Sequence, residues 1–232
     1  MSGGPRAGHT VMEALTAPQT LRQAALAGAL TTAACVPRLL GWNQSPYPVW
    51  FSAITIALTS SVMWAFVLAW EPTRLGRAPQ GWSPARGLWL AATGFALVAA
   101  AFRCLVLDPA LVANGLAQSP TSGAEWLATG LFQLAFLQLF LLFAPVALCT
   151  RLFSDRRVAI SLTVSLGLYV SWRNLTHSDA DPSPWLIAQI LLTRALGDGL
   201  AVWFYQRGGV FVAWWIALVL HLRHLVLLHT PG

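Results

Sequence analysis

The sequence predicts an all-α, polytopic transmembrane helix bundle of about seven spans. Three observations carry that prediction. The composition is 56% hydrophobic and 9% charged, with a mean hydropathy of +0.62, whereas a soluble domain carries about a quarter charged residues. Apolar runs of about twenty residues, the length that crosses a bilayer as helix, recur along the chain; residues 49–70 hold no charge at all. The connectors between the runs are short and rich in Arg, Pro and Gly, and none is long enough to build a soluble domain.

In chain order, residues 1–22 are rich in Gly, Pro, Ala and Thr and read as a cytoplasmic N-terminal arm. A signal peptide is not expected, because the first apolar run starts late and more spans follow it. Span one, about 23–41, is interrupted by Thr31, Thr32, Pro37 and Arg38, so it should pack against protein on most of its surface. Span two, 49–70, offers Trp50, Trp64 and Trp70 as interfacial anchors. The loop 71–86 carries Arg74, Arg77 and Arg86 among Pro72, Pro79 and Pro84 and reads as cytoplasmic. Span three covers about 87–107, and the connector 108–125 contains Pro109, Gly115, Pro120 and Gly123. Span four, 126–150, is rich in Leu and Phe and ends at a charged turn of Arg151, Asp155, Arg156 and Arg157. Span five, 158–172, is short and rich in Ser and Thr, which fits burial in a bundle better than contact with lipid. Span six, 185–205, encloses Arg194 and Asp198; residues 206–209 turn, and span seven runs from 210 to about 228. The chain thus divides into the arm 1–22, N-terminal helices 23–139 and a C-terminal core 140–232.

All fourteen basic residues are Arg, and the net charge is +6. They are dispersed among the spans and form no basic run, so positive-inside topology explains them and nucleic acid does not. With a cytoplasmic N-terminus, Arg6, Arg22, Arg74, Arg77, Arg86, Arg151, Arg156, Arg157 and Arg207 lie inside. Arg38, Arg103, Arg173 and Arg223 lie toward the other side, and Arg194 within the membrane. This is the arrangement expected of a multi-pass protein of the cell inner membrane. Cys35, Cys104 and Cys149 show no CxxC and no metal-like spacing, so they read as buried thiols; neither a metal nor a cofactor is implied. No internal repeat supports a transporter.

Residues 140–232 resemble the CAAX-protease and bacteriocin-processing (CPBP) family of intramembrane proteases. Phe143-Ala144-Pro145-Val146-Ala147-Leu148-Cys149-Thr150-Arg151 is similar to the family's Ala-Pro-x-x-Glu-Glu-x-x-x-Arg segment, with Arg151 kept and both glutamates absent. Aligned on Arg151, the glutamate positions fall on Val146 and Ala147, which can neither take a proton nor bind a metal. The family's Phe-x-x-x-His falls on Tyr169 to Arg173, with Arg in the place of His. Leu200 to Gly209 resembles the segment ending in Arg-x-Gly before the last core helix. The final His-x-x-x-Asn/Asp motif meets His221 about one turn late, with no Asn or Asp after it. The resemblance therefore implies a CPBP-like C-terminal core whose water-activating apparatus is missing.

Several residues remain as candidates, each with a plainer reading. Arg194 and Asp198, four apart on one helical face, form either an ion pair that locks span six or a ligand or proton site. His221 and His224, three apart with Arg223 pointing elsewhere, can share a proton path or a metal completed by Asp198 and His177; hydrogen-bonded packing is the plainer role. Arg173 and His177 close span five, where the resemblance implies a histidine; a solvated loop is the alternative. Cys149, two residues before Arg151, is the one potential nucleophile in the degenerate motif, set against an inert buried thiol.

Two functions follow. In the first, the protein is a pseudoenzyme that binds or regulates a partner: Arg173, Arg194, Asp198 and His224 hold a partner's or substrate's transmembrane helix, or the cytoplasmic face holds a regulator. In the second, it is a divergent intramembrane protease or sorting enzyme using Cys149, Arg151, His177 and His221.

Overall fold

A computed structural model describes residues 15–41, 47–74, 86–116, 120–153, 156–176 and 182–229. Every regular element among them is helical: α1 (Pro18–Leu40), α2 (Val49–Arg74), α3 (Arg86–Phe102), α4 (Asp108–Ala113), α5 (Gly123–Phe132), α6 (Ala144–Phe153), α7 (Arg156–Thr176) and α8 (Pro184–His229). Residues 1–14 of the arm and His177 lie outside the described residues. Residues 18–22, expected in the arm, already belong to α1. Pro18 stands in the first turn, where its missing N–H costs nothing.

Seven spans are not supported. Four helical stretches are long and apolar enough to cross a membrane: Val49–Ala69, Arg86–Ala113, Gly123–Thr150 and Pro184–Leu225. Expected spans one and five exist as helices α1 and α7, but the hydroxyls and charges that made them weak keep them below that threshold. Spans six and seven are one helical element, broken at Gly209.

Gly209 has φ 72° and ψ −169°, a conformation that only glycine adopts without strain. Beside it, a Cβ on Gly208 would lie 2.5 Å from Val212 and 2.8 Å from Leu88. The backbone therefore bends where side chains leave no room. Asp198 and Arg223 both act electrostatically on Arg103, although a straight helix would set them about 37 Å apart. α8 consequently folds back at Gly209 into two limbs, 184–208 and 210–229.

Two long helical runs are continued through three π turns, of which two stand just before a proline and the third, Gln133–Leu137, does not. Arg103–Leu107 joins α3 to α4 ahead of Pro109, and Leu139–Phe143 leads into α6 ahead of Pro145. Proline cannot donate to the carbonyl one turn back, so the ladder slips by one residue, with Asp108 N–H donating to Arg103 O and Ala144 N–H to Leu139 O.

The core joins α2, the α5–α6 run and both limbs of α8. Trp64, Val67, Leu139, Phe143, Val146, Ala147, Val202 and Tyr205 are buried together. Trp64 packs 6.2 Å from Phe143 and 6.1 Å from Trp214, ring centre to ring centre, and donates to Thr31 Oγ1 at 3.0 Å. Trp64 is thus a core residue and no interfacial anchor: it lies fifteen residues into α2, on the face that meets α1. Against that face, Gly28 lets α1 approach the backbone of Ser61. The outer surface is apolar, with Leu26, Leu30, Leu58, Leu90 and Leu105 all more than half exposed. That surface suits a hydrocarbon solvent and would be a liability in water.

Candidate functional site

The polar side chains at membrane depth gather around Arg103. α3 delivers Arg103 on its π turn, and the turn's end delivers Asp108. The first limb of α8 supplies Arg194 and Asp198, and the second supplies His221, Arg223 and His224. The charges of Arg223, Asp108, Arg194 and Asp198 all act on Arg103, and those of Arg223, Asp108, His221 and Arg103 act on His224.

Two ion pairs organise the cluster. Arg223 Nε donates to Asp108 Oδ2 at 2.7 Å, with side-chain exposures of only 10% and 8%; its Nη1 also donates to Leu220 O. Arg194 Nε donates to Asp198 Oδ2 at 2.7 Å, as the four-residue spacing predicts. α7 makes room for this second pair at Gly167, where a Cβ would collide with Asp198 Oδ2.

His221 is 2% exposed. Its Nε2 lies 2.9 Å from Trp126 O, so Nε2 carries the hydrogen and donates. Its ring stacks on that of Trp126 at 5.0 Å. Gly130 on α5 provides the space, since a Cβ there would stand 2.5 Å from His221 Nε2. His224 meets His221 edge to face at 5.5 Å.

Cys149 lies elsewhere. It is half-buried near the end of the helical run 123–153, twenty-three residues beyond Trp126, or about 35 Å along the axis. Because His221 is bonded to Trp126, the thiol and the imidazole stand at opposite ends of the bundle. Arg151 belongs to α6 beside Cys149, but its side chain lies outside the described residues. Val146 and Ala147 are 0% and 1% exposed within the apolar core. Arg173 is exposed in the last turn of α7, six residues past Gly167, on one helical face with Tyr169, Trp172 and Thr176. Among the described residues, no three His, Cys, Asp or Glu side chains are grouped to hold a metal.

No family model, characterised protein or solved structure matches the chain.

Of the residues singled out by sequence, Arg194, Asp198, His221 and His224 are thus brought together, whereas Cys149 stands apart and Arg173 is exposed at the end of α7. Sequence reasoning missed Arg103, Asp108 and Arg223. The available signal was an Arg and an Asp five apart at the end of an apolar run, an ionisable pair at membrane depth that needs a partner.

Proposed function

We propose that the chain is a catalytically degenerate, CPBP-like integral membrane protein of the cell inner membrane, acting by binding or regulating a membrane or cytoplasmic partner. One observation carries this reading: among the described residues, Cys149 and His221 do not converge. Val146 and Ala147 fill the core, and Cys149 is about 35 Å from the end of the bundle that holds His221. A thiolate needs a base within hydrogen-bond reach to act as a protease nucleophile. The exposed face at the end of α7 presents two aromatic rings, of Tyr169 and Trp172, and the cation of Arg173, a composition suited to contact with a partner.

The test compares membrane-protein termini in cells lacking the protein and in cells complemented with wild type, Cys149→Ala or His221→Ala. The same termini are expected in all four. A new chain end that appears with wild type and vanishes in Cys149→Ala or His221→Ala would overturn the reading in favour of an intramembrane protease or sorting enzyme. A photo-crosslinkable residue at Tyr169 should form the same discrete adduct in wild-type and Cys149→Ala backgrounds, and its absence from both would remove the partner from the proposal.

A further inference from the structure

We propose that Arg103 is the seat of a phosphoryl anion bound at the edge of the bilayer. Three guanidiniums, of Arg103, Arg194 and Arg223, face two carboxylates, of Asp108 and Asp198. Each carboxylate is already held at 2.7 Å by another arginine, so the cation left over is Arg103. Its Nε is buried without a hydrogen-bond partner, and so is Nδ1 of neighbouring His224. Among the described residues, no ion pair reaches Arg103.

A buried guanidinium N–H without an acceptor is costly even close to the bilayer surface. What the cluster lacks is negative charge, and an oxyanion supplies it together with an acceptor for Arg103 Nε. The depth identifies the oxyanion. Arg103 lies seventeen residues beyond Arg86 on one helical run, about 26 Å along its axis. With Arg86 at one boundary of a hydrocarbon layer about 30 Å thick, Arg103 reaches toward the opposite phosphate level. Phe102, Leu105 and Val106 around it are exposed toward lipid, leaving an approach from the bilayer. A phosphate monoester or diester fits, carried either by an anionic lipid or by a free ion from the aqueous side.

The experiment uses the full chain in neutral detergent. Thermal unfolding is followed by tryptophan fluorescence with added phosphatidylglycerol, phosphatidylcholine or inorganic phosphate, for wild type, Arg103→Gln, Arg103→Lys and Arg207→Gln. Arg207, stacked on Trp203 near the Gly209 bend, is the control. Phosphatidylglycerol should raise the unfolding temperature of wild type and Arg207→Gln more than phosphatidylcholine does. Arg103→Gln should weaken that response about tenfold or more in concentration, with Arg103→Lys in between. An equal response to inorganic phosphate, also lost in Arg103→Gln, would support the site with a free anion as its source. Arg103→Gln, which removes an uncompensated charge, should fold at least as well as wild type. Stabilisation by no phosphate source, or an undiminished response in a folded Arg103→Gln protein, would overturn the proposal. Its outcome is independent of whether the chain cuts or only binds a partner.

Discussion

Replacing Asp108 by Leu tests the electrostatics of the cluster most directly. The carboxylate is 8% exposed and is the acceptor for Arg223 Nε. Without it, three guanidiniums remain around one carboxylate, and Arg223 keeps only the carbonyl of Leu220. Breaking a buried pair from one side costs about 3–5 kcal/mol, because the surviving charge is left desolvated and unpaired. Asp108→Asn keeps a neutral acceptor and should fall near the lower end of that range. The double variant Asp108→Leu/Arg223→Leu removes one charge of each sign and leaves the cluster's net charge unchanged. It should cost no more than about 1–2 kcal/mol, since apolar side chains often replace a buried pair at little loss. Arg223→Leu strands the Asp108 carboxylate in the same way, so the double variant should cost at least about 4 kcal/mol less than the sum of the two single costs. Reversible unfolding in bicelles, read by tryptophan fluorescence, measures all four free energies. A single-variant cost below about 1 kcal/mol, or a double-variant cost equal to the sum of the singles, would refute the reasoning.

Three further predictions concern helix glycines, two that admit a neighbour to the backbone and one that does not. Gly28→Ala sets a Cβ 2.8 Å from Ser61 N and 2.9 Å from its Cα; backbone cannot yield as a side chain can, so the expected loss is about 1–3 kcal/mol in the same unfolding assay. Gly94→Ala, where nothing lies within 4 Å, should be neutral or gain up to about 1 kcal/mol. Gly167→Ala drives a methyl into the Asp198 carboxylate and should cost about 1–3 kcal/mol. Most of that loss should disappear in an Arg194→Leu/Asp198→Ala background, where the space is free and no charge is stranded.

The helices were legible because apolar runs of bilayer length leave few alternatives, and the Arg194–Asp198 pair because its four-residue spacing needs only one helix to be right. Asp108 was not legible. An Asp-Pro step after an apolar run reads as a turn, whereas here it follows a π turn and starts another helical stretch. Its partner Arg223 lies 115 residues away, and their meeting depends on the reversal of α8 at Gly209. The same reversal hid the continuity of the last two expected spans, since Gln206 to Gly209 reads as an ordinary polar loop. Trp64 was misplaced for a related reason: position along a helix marks depth, but only the face that meets α1 decides between core and interface.

The cost of the cluster bears on where function resides. Three arginines and two aspartates at membrane depth are expensive one by one on insertion scales, and pairing them recovers less than apolar packing of the same volume would. A bundle under demand for stability alone would fill this space as it fills the other end, where Val146, Ala147, Phe143 and Val67 pack without a charge. Instead, two helices place glycine where a polar side chain must enter, Gly130 against His221 and Gly167 against Asp198. Close helix approach at small residues is the usual way a membrane bundle accommodates polar groups, and here both openings lead to the same end. The Cys149 end has no comparable arrangement of polar partners in the described residues, and its motif positions serve packing. The polar end around Arg103 therefore holds desolvated donors in place before anything binds, the arrangement that the proposed anion would exploit.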